Sequence, residues 1–425
     1  MNRFAKVTFA CFVAIPLCIA ATASYADWPS WRGPNDRGSI ETGKYPSSLD
    51  DANLTWKTPL PGKGCSTPII SDGLIFVTAP IDRSDALLCF DTSGKRLWHA
   101  QFGIEVGGKH RNGSGSNSSP VSDGESIFVY FKSGTLASVD REGKVQWKTN
   151  IVEKFGKDTL FWDYGSSPVL TDKHVVITRM HQGDSWLAAF DKETGNMDWK
   201  VDRNYKTPVE CDHGYSTPLV IDYENKQCLL VWGAEHVTLH DASDGKNIWT
   251  CGDFNPENNK LWPSIATPVI VKDRVVIAYG RNDRNIPRLH GVRLSGLGDV
   301  TDSNHVWDRD DIGTFVPTPV AYKERVYMVR DRGEIECIDP KDGTSIWSDR
   351  LPKGRAKFYA SPLIAGGVLY APREDGVVFM GNVSEKGFTF LSQRDMGEPV
   401  IGSPVPMGNE KILIRSEKSL YCFGK

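Results

Sequence analysis

No two of the nine cysteines stand side by side, and none falls in a C-x-x-C or C-x-x-C-H spacing. That leaves out a thiol–disulfide exchange motif and a covalently held c-type haem. Cys11 and Cys18 lie within the first 26 residues, and the other seven are an odd, scattered set. Such a set is no disulfide framework, though it leaves room for one or two bridges. G-x-S-x-G, Walker and H-E-x-x-H motifs are missing, so nucleophilic hydrolysis and nucleotide use have no motif behind them. A charge excess is missing too. The 50 basic and 53 acidic residues leave a net charge of −3, no electrostatic footprint for nucleic acid. After residue 21 no apolar run is long enough to cross a bilayer as a helix.

What is there begins at Met1–Ala26. This stretch has a basic tip (Arg3, Lys6), an apolar middle from Val7 to Ala21, and the small residues Ser24 and Ala26 at its end. It reads as a cleaved secretory signal, with Asp27 as the first mature residue. The apolar part is short for a membrane span and is interrupted by Pro16. The protein is therefore expected to be exported, into the periplasm or out of the cell.

A repeat organises the rest. Ser/Thr-Pro recurs at Thr67, Ser119, Ser167, Thr217, Thr267, Thr318, Ser361 and Ser403, each followed by proline. Behind each come two short apolar runs, and in most units a third run ending in Asp and a Gly turn, then a tryptophan, as in "LAAFDKETGNMDW". Four short strands every 40 to 50 residues is the pattern of a β-propeller blade. The expected fold is all-β: an eight-bladed β-propeller of four-stranded antiparallel blades. Trp98, Trp147, Trp199, Trp249, Trp307 and Trp347 fall on fourth strands, where they would dock one blade on the next. The last unit ends at Lys425 without its fourth strand, and "NLTWKTPL", with Trp56, supplies one from the N-terminal side. That strand is expected to close the eighth blade. The seventh unit has Phe388 or Phe390 near the tryptophan position, and the fifth carries an insertion before Trp307.

Three parts follow: a signal over 1–26, a segment over 27–52, and the propeller over 53–425. The segment opens "DWPSWRGPNDRGSI". Two tryptophans, two prolines and two glycines make it unfit for a helix or a regular strand. It is expected to act as a clasp over the first or last blades, pinning the seam; the alternative is a ligand site of exposed aromatics beside an arginine.

The blade signature "DKETGNMDW" resembles the pyrroloquinoline-quinone (PQQ)-type propeller repeat, less one residue of spacing. That family includes the quinoprotein dehydrogenases and the outer-membrane assembly lipoprotein BamB. "WPSWRGPNDRG" and "GLGDVTDSNHVW" look like exported PQQ-like propeller proteins of planctomycete-type bacteria. The resemblance spans the chain after residue 26. It implies either a non-catalytic, BamB-like binding or scaffold protein of the cell envelope, or a PQQ- and calcium-dependent oxidoreductase acting on alcohols or sugars. The vicinal cysteine pair of many alcohol-oxidising members is absent, and no stretch maps onto their catalytic residues, so no catalytic residue is assigned.

Ligands enter propellers at the axial mouth, on the loops that precede each Ser/Thr-Pro. Aligning the repeats places Trp162, Asp163, Asp212, His213, Tyr215, Trp262, Lys357, Tyr359 and Glu398 around that opening, and the glycine-rich stretch "GGKHRNGSGSNSSP" adds His110 and Arg111. Aromatics with a few convergent polar groups suit a small-molecule or peptide pocket; equally, they can pack the channel shut. His236 and His240 are four apart on a strand, about 13 Å, too far for one metal, and no metal site is expected. The partner expected at the loop face is an envelope protein, a peptide or a glycan, bound by a monomer.

Overall fold

Each Ser/Thr-Pro leads into a short strand nearest the axis, and each following apolar run pairs with it further out. The structure, a computed structural model, describes residues 27–425. The signal reading of 1–26 lies outside them. Eight sheets result, each built on four antiparallel strands, and in seven of them these four run in chain order from axis to rim. Blade 2 is typical: Val121–Ser122, Ser126–Tyr130, Thr135–Asp140 and Val145–Asn150. Blade 8 takes its outer strand from the N-terminal side, Leu54–Pro59 pairing antiparallel with Ser419–Phe423. The ring is closed by the strand carrying Trp56, as the repeat predicts.

The repeated hydroxyls form a belt around the axis. Proline keeps the residue before it extended. The N–H of that residue then donates sideways to the hydroxyl of the next blade. Thr67 donates to Ser119 Oγ at 2.9 Å, Ser119 to Ser167 Oγ at 3.0 Å, and Ser167 to Thr217 Oγ1 at 3.0 Å. The relay continues through Thr267 and Thr318 to Ser361, and Ser403 donates to Thr67 Oγ1 at 3.0 Å; the step from Ser361 to Ser403 is left open. Each link satisfies a buried amide that has no ladder partner.

Further out, tryptophan meets glycine. A Cβ on Gly94, Gly143, Gly195, Gly245 or Gly343 would come within 2.5–2.7 Å of Trp56, Trp98, Trp147, Trp199 or Trp307 of the preceding blade. The same glycines hold φ of +70° to +91°, so one residue both makes the turn and accepts the indole face. Trp249 has no such glycine after it. The blade 5 insertion covers it instead, Gly298–Asp299 pairing beside Asn247–Cys251. In blade 7 the register puts Ser392, not Phe388 or Phe390, at the tryptophan position. Its hydroxyl donates to Ser47 O at 2.7 Å, because N-terminal chain occupies the place of the next blade's turn. The seven described cysteines are free, so none forms the bridge the sequence left room for.

Residues 27–40 run from blade 1 across the axis to blades 6 and 7, at the end opposite the loop mouth. Trp28 exchanges backbone hydrogen bonds with Ile70, and Ser122 N–H donates to Pro29 O. Buried Arg32 then reaches Pro319 O at 3.0 Å and Pro362 O at 2.8 Å. Ser39–Ile40 pairs parallel with Ile364 and Ala365 on the axial edge of blade 7. The glycines permit this folding back: a Cβ on Gly33 would strike Trp28, and one on Gly38 would strike the Arg32 guanidinium.

Candidate functional site

The loops preceding the belt surround a cavity of about 340 Å³ on the axis. Its floor is Trp31, from the segment that crosses the far end. Its roof is the glycine-rich loop 107–113, which extends from blade 1 over the mouth. Asp163, almost fully buried, accepts the N–H groups of Lys109 (2.8 Å) and His110 (3.0 Å) and pairs with Lys132 Nζ at 2.6 Å. Burial opposes its charge, but Lys132 and the two amides outweigh that and hold the carboxyl below its usual range. On the other side Glu374 accepts Arg111 at 3.0 Å and Asn112 at 2.7 Å. The loop is thus tied from blade 3 to blade 7, with His110 at its centre.

His110 stands edge-on to Trp162, ring centres 5.0 Å apart, and 5.9 Å from Tyr359. Burial and Arg111 lower its pKa, so it is neutral at pH 7. Across the cavity the Arg281 guanidinium lies 4.3 Å over the Phe315 ring and grips Asp283 through two bonds of 2.8 and 2.9 Å. Lys357 Nζ approaches the same carboxylate at 3.7 Å. Asp331 is buried and accepts from Asn282 and Phe315 N–H, both at 2.8 Å.

Of the residues expected at the mouth, His110, Trp162, Asp163, Tyr215, Lys357 and Tyr359 line this cavity. The others do not. Arg111 lies on the outer rim, exposed beyond Glu374. His213 is buried behind Phe161, whose N–H it accepts at 3.4 Å, with Asp212 3.8 Å away. Trp262 is only 1% exposed and packs on Tyr279 and Arg288. Glu398 faces blade 8, accepting Ser419 Oγ at 2.8 Å and Lys418 N–H at 2.9 Å. Equivalent places in a repeat share a backbone position, but loop lengths between blades turn their side chains differently. Trp31, Asn112, Arg281, Asp283, Phe315 and Asp331 line the cavity without having been predicted. Asp283 and Asp331 sit in turns between second and third strands, away from the loops that precede each Ser/Thr-Pro; for Trp31 only the fold could place it.

Exposed apolar side chains also lie on the loop face, and one of them, Trp162, lines the cavity. Ile104 and Val106 follow blade 1, Phe161 (59% exposed) and Trp162 (40%) follow blade 2, and Val209 follows blade 3. All are on the loop face of consecutive blades.

Fold and repeat define a closed eight-bladed propeller with one end of its axis plugged and the other a lined bowl. The family model described as outer membrane protein assembly factor BamB matches residues 47–183 and 83–349, and the chain belongs to that family. The BamB of Yersinia pestis is 23% identical over 353 residues, 80% of each chain. The solved BamB of Moraxella catarrhalis superposes with a TM-score of 0.64 at 15% identity, over 88% of this chain and 99% of that one. The quinohemoprotein alcohol dehydrogenase of Comamonas testosteroni gives 0.67 at 13% identity, over 94% and 80%. At such identities the solved structures share the fold.

Proposed function

We propose that this is an exported binding protein of the cell envelope whose loop face docks a protein or peptide. The observation that carries the reading is the set of exposed apolar side chains on the loops of this face, Ile104, Val106, Phe161, Trp162 and Val209, of which Trp162 also lines the bowl. Large apolar groups gathered on one face mark interaction sites, and an aromatic bowl next to them suits an inserted side chain. The relatives named as outer membrane assembly factors favour a partner of the same compartment. Calcium beside a quinone would need six to eight oxygen ligands, and a dehydrogenase would need a free carboxylate base. Of the carboxylates lining the bowl, Asp163, Asp283 and Asp331 are each bonded to neighbouring lysine, arginine, amide or backbone groups, which leaves Glu210 as the lining carboxylate without such a partner among the described residues. One unpartnered carboxylate favours the binding reading over a quinone with calcium.

The test is capture from an envelope extract by immobilised residues 27–425, wild type against Phe161→Ser/Trp162→Ala. A specific partner retained by the wild type and reduced at least about tenfold by the double variant, at unchanged melting temperature, is the expected result; each 1.4 kcal/mol is tenfold. Equal capture by both, or no specific partner, would count against it. Stoichiometric binding of PQQ with calcium, with dye reduction by alcohols or sugars, would put the oxidoreductase reading first.

A further inference from the structure

Blade 5 brings together two histidines and an aspartate that no part of the proposed binding face uses. His290 lies on the third strand, Ile286–Arg293, opposite Asp308 on the fourth, His305–Arg309. His305, three residues before Asp308, should face the other side of a regular strand. A register shift at Gly291/Val292 inserts one extra residue and turns it back onto the face of Asp308. One carboxylate oxygen of Asp308 then stands 2.6 Å from His290 Nδ1 and 3.6 Å from His305 Nδ1. One ligand atom from each residue lies within 4.8 Å of the others.

The surroundings are those of a metal site. His305 Nε2 is held by Gly252 O at 2.7 Å, which orients the ring and leaves Nδ1 as a ligand, the usual outer support of a metal-bound imidazole. His290 is buried, and its Nε2 has no partner. The cluster opens onto a cavity of about 540 Å³. Among its walls, Arg288 is neutralised by Glu257 at 3.1 Å and Arg309 by Asp311 at 2.6 Å. Asp253, Asp302 and Asp310 add uncompensated negative charge.

We propose that His290, His305 and Asp308 form a binding site for a divalent transition metal of the zinc type, with solvent in the remaining position. Two imidazoles and one carboxylate with an open side suit Zn²⁺ and its neighbours better than calcium or magnesium, which take oxygen ligands. The inference is independent of the partner at the loop face.

Tag-free protein, stripped with chelator, is titrated with Zn²⁺ against a chromophoric competitor, and with Co²⁺ by visible absorption. One metal per chain, a low-symmetry Co²⁺ spectrum, and at least about tenfold weaker binding by Asp308→Asn and His305→Gln are expected, by the loss typical of disturbing such ligands. Circular dichroism of the metal-free variants checks that they fold, and Asp302→Asn controls for charge alone. No binding by the wild type, unchanged affinity in folded ligand variants, or equal loss in Asp302→Asn would overturn the site.

Discussion

Thr267 shows what a single residue does in this repeat. Its Oγ1 accepts the buried N–H of Thr217, and its own N–H goes to Thr318. Valine has the same shape and no acceptor. Thr267→Val is expected to destabilise the fold by about 1–3 kcal/mol, the cost of an orphaned buried amide, read from the urea midpoint. A change below a few tenths would show the belt to be incidental. In the sequence the Ser/Thr-Pro pairs are visible as punctuation; the hydroxyl's partner, some 50 residues away, is not, because it depends on how adjacent blades are spaced. The tryptophans are readable for the opposite reason. A large aromatic at a fixed distance behind an Asp–Gly turn has few places to go on a strand. Trp262 departs from its expected place because the repeat position alone does not distinguish a side chain pointing into the mouth from one beneath Tyr279.

At the scale of elements, the opening segment divides into two jobs carried by neighbouring tryptophans. Trp28 is buried against the turn glycine at 33 and joined to blade 1; Trp31 faces the cavity. Trp28→Ala is expected to cost about 3–5 kcal/mol, as large aromatic truncations in cores do. Trp31→Ala should leave thermal melting within a few degrees while deepening the bowl and changing what it binds. Equal effects of both on melting would reject this division. The segment ties blades together, and it does not present exposed aromatics beside an arginine: Trp28 and Arg32 are buried, and Trp31 alone reaches the cavity. The insertion in blade 5 is the other element whose presence is readable and whose consequence is not. It covers Trp249, and a one-residue bulge beside it decides which way His305 faces.

The whole ring responds to acid through its histidines. Burial lowers the pKa of His181, His213 and His236, and takes His240 from 6.5 to about 4. His240 is enclosed between Gly245 O and Thr238 Oγ1, both at 2.9 Å. Between pH 6.5 and 4 the unfolded chain binds the proton and the folded one does not, so stability falls as the pH falls through this window. Asp85, raised to about 7 by burial, works the other way, so a comparison isolates the histidine. The wild type should lose about 3 kcal/mol more than His240→Gln between pH 6.5 and 4, since each tenfold difference in proton affinity between folded and unfolded chain is worth about 1.4 kcal/mol. Parallel urea-midpoint curves for the two would reject the assignment.

The number of blades, the order of strands within them and the strand that closes the ring are all readable from residue order. They are local properties: each blade is a set of short runs joined by turns, and the fourth strand missing from the eighth blade is matched by a spare at the other end. Tertiary structure alone decided which loop residues face the axis, that Trp31 floors the bowl, that the repeated hydroxyls join into a belt, and that His290 meets His305 and Asp308. Those outcomes hinge on the spacing between blades, the lengths of unequal loops and one bulge. Small changes in any of them turn a side chain through half a strand's rotation while leaving the repeat pattern intact.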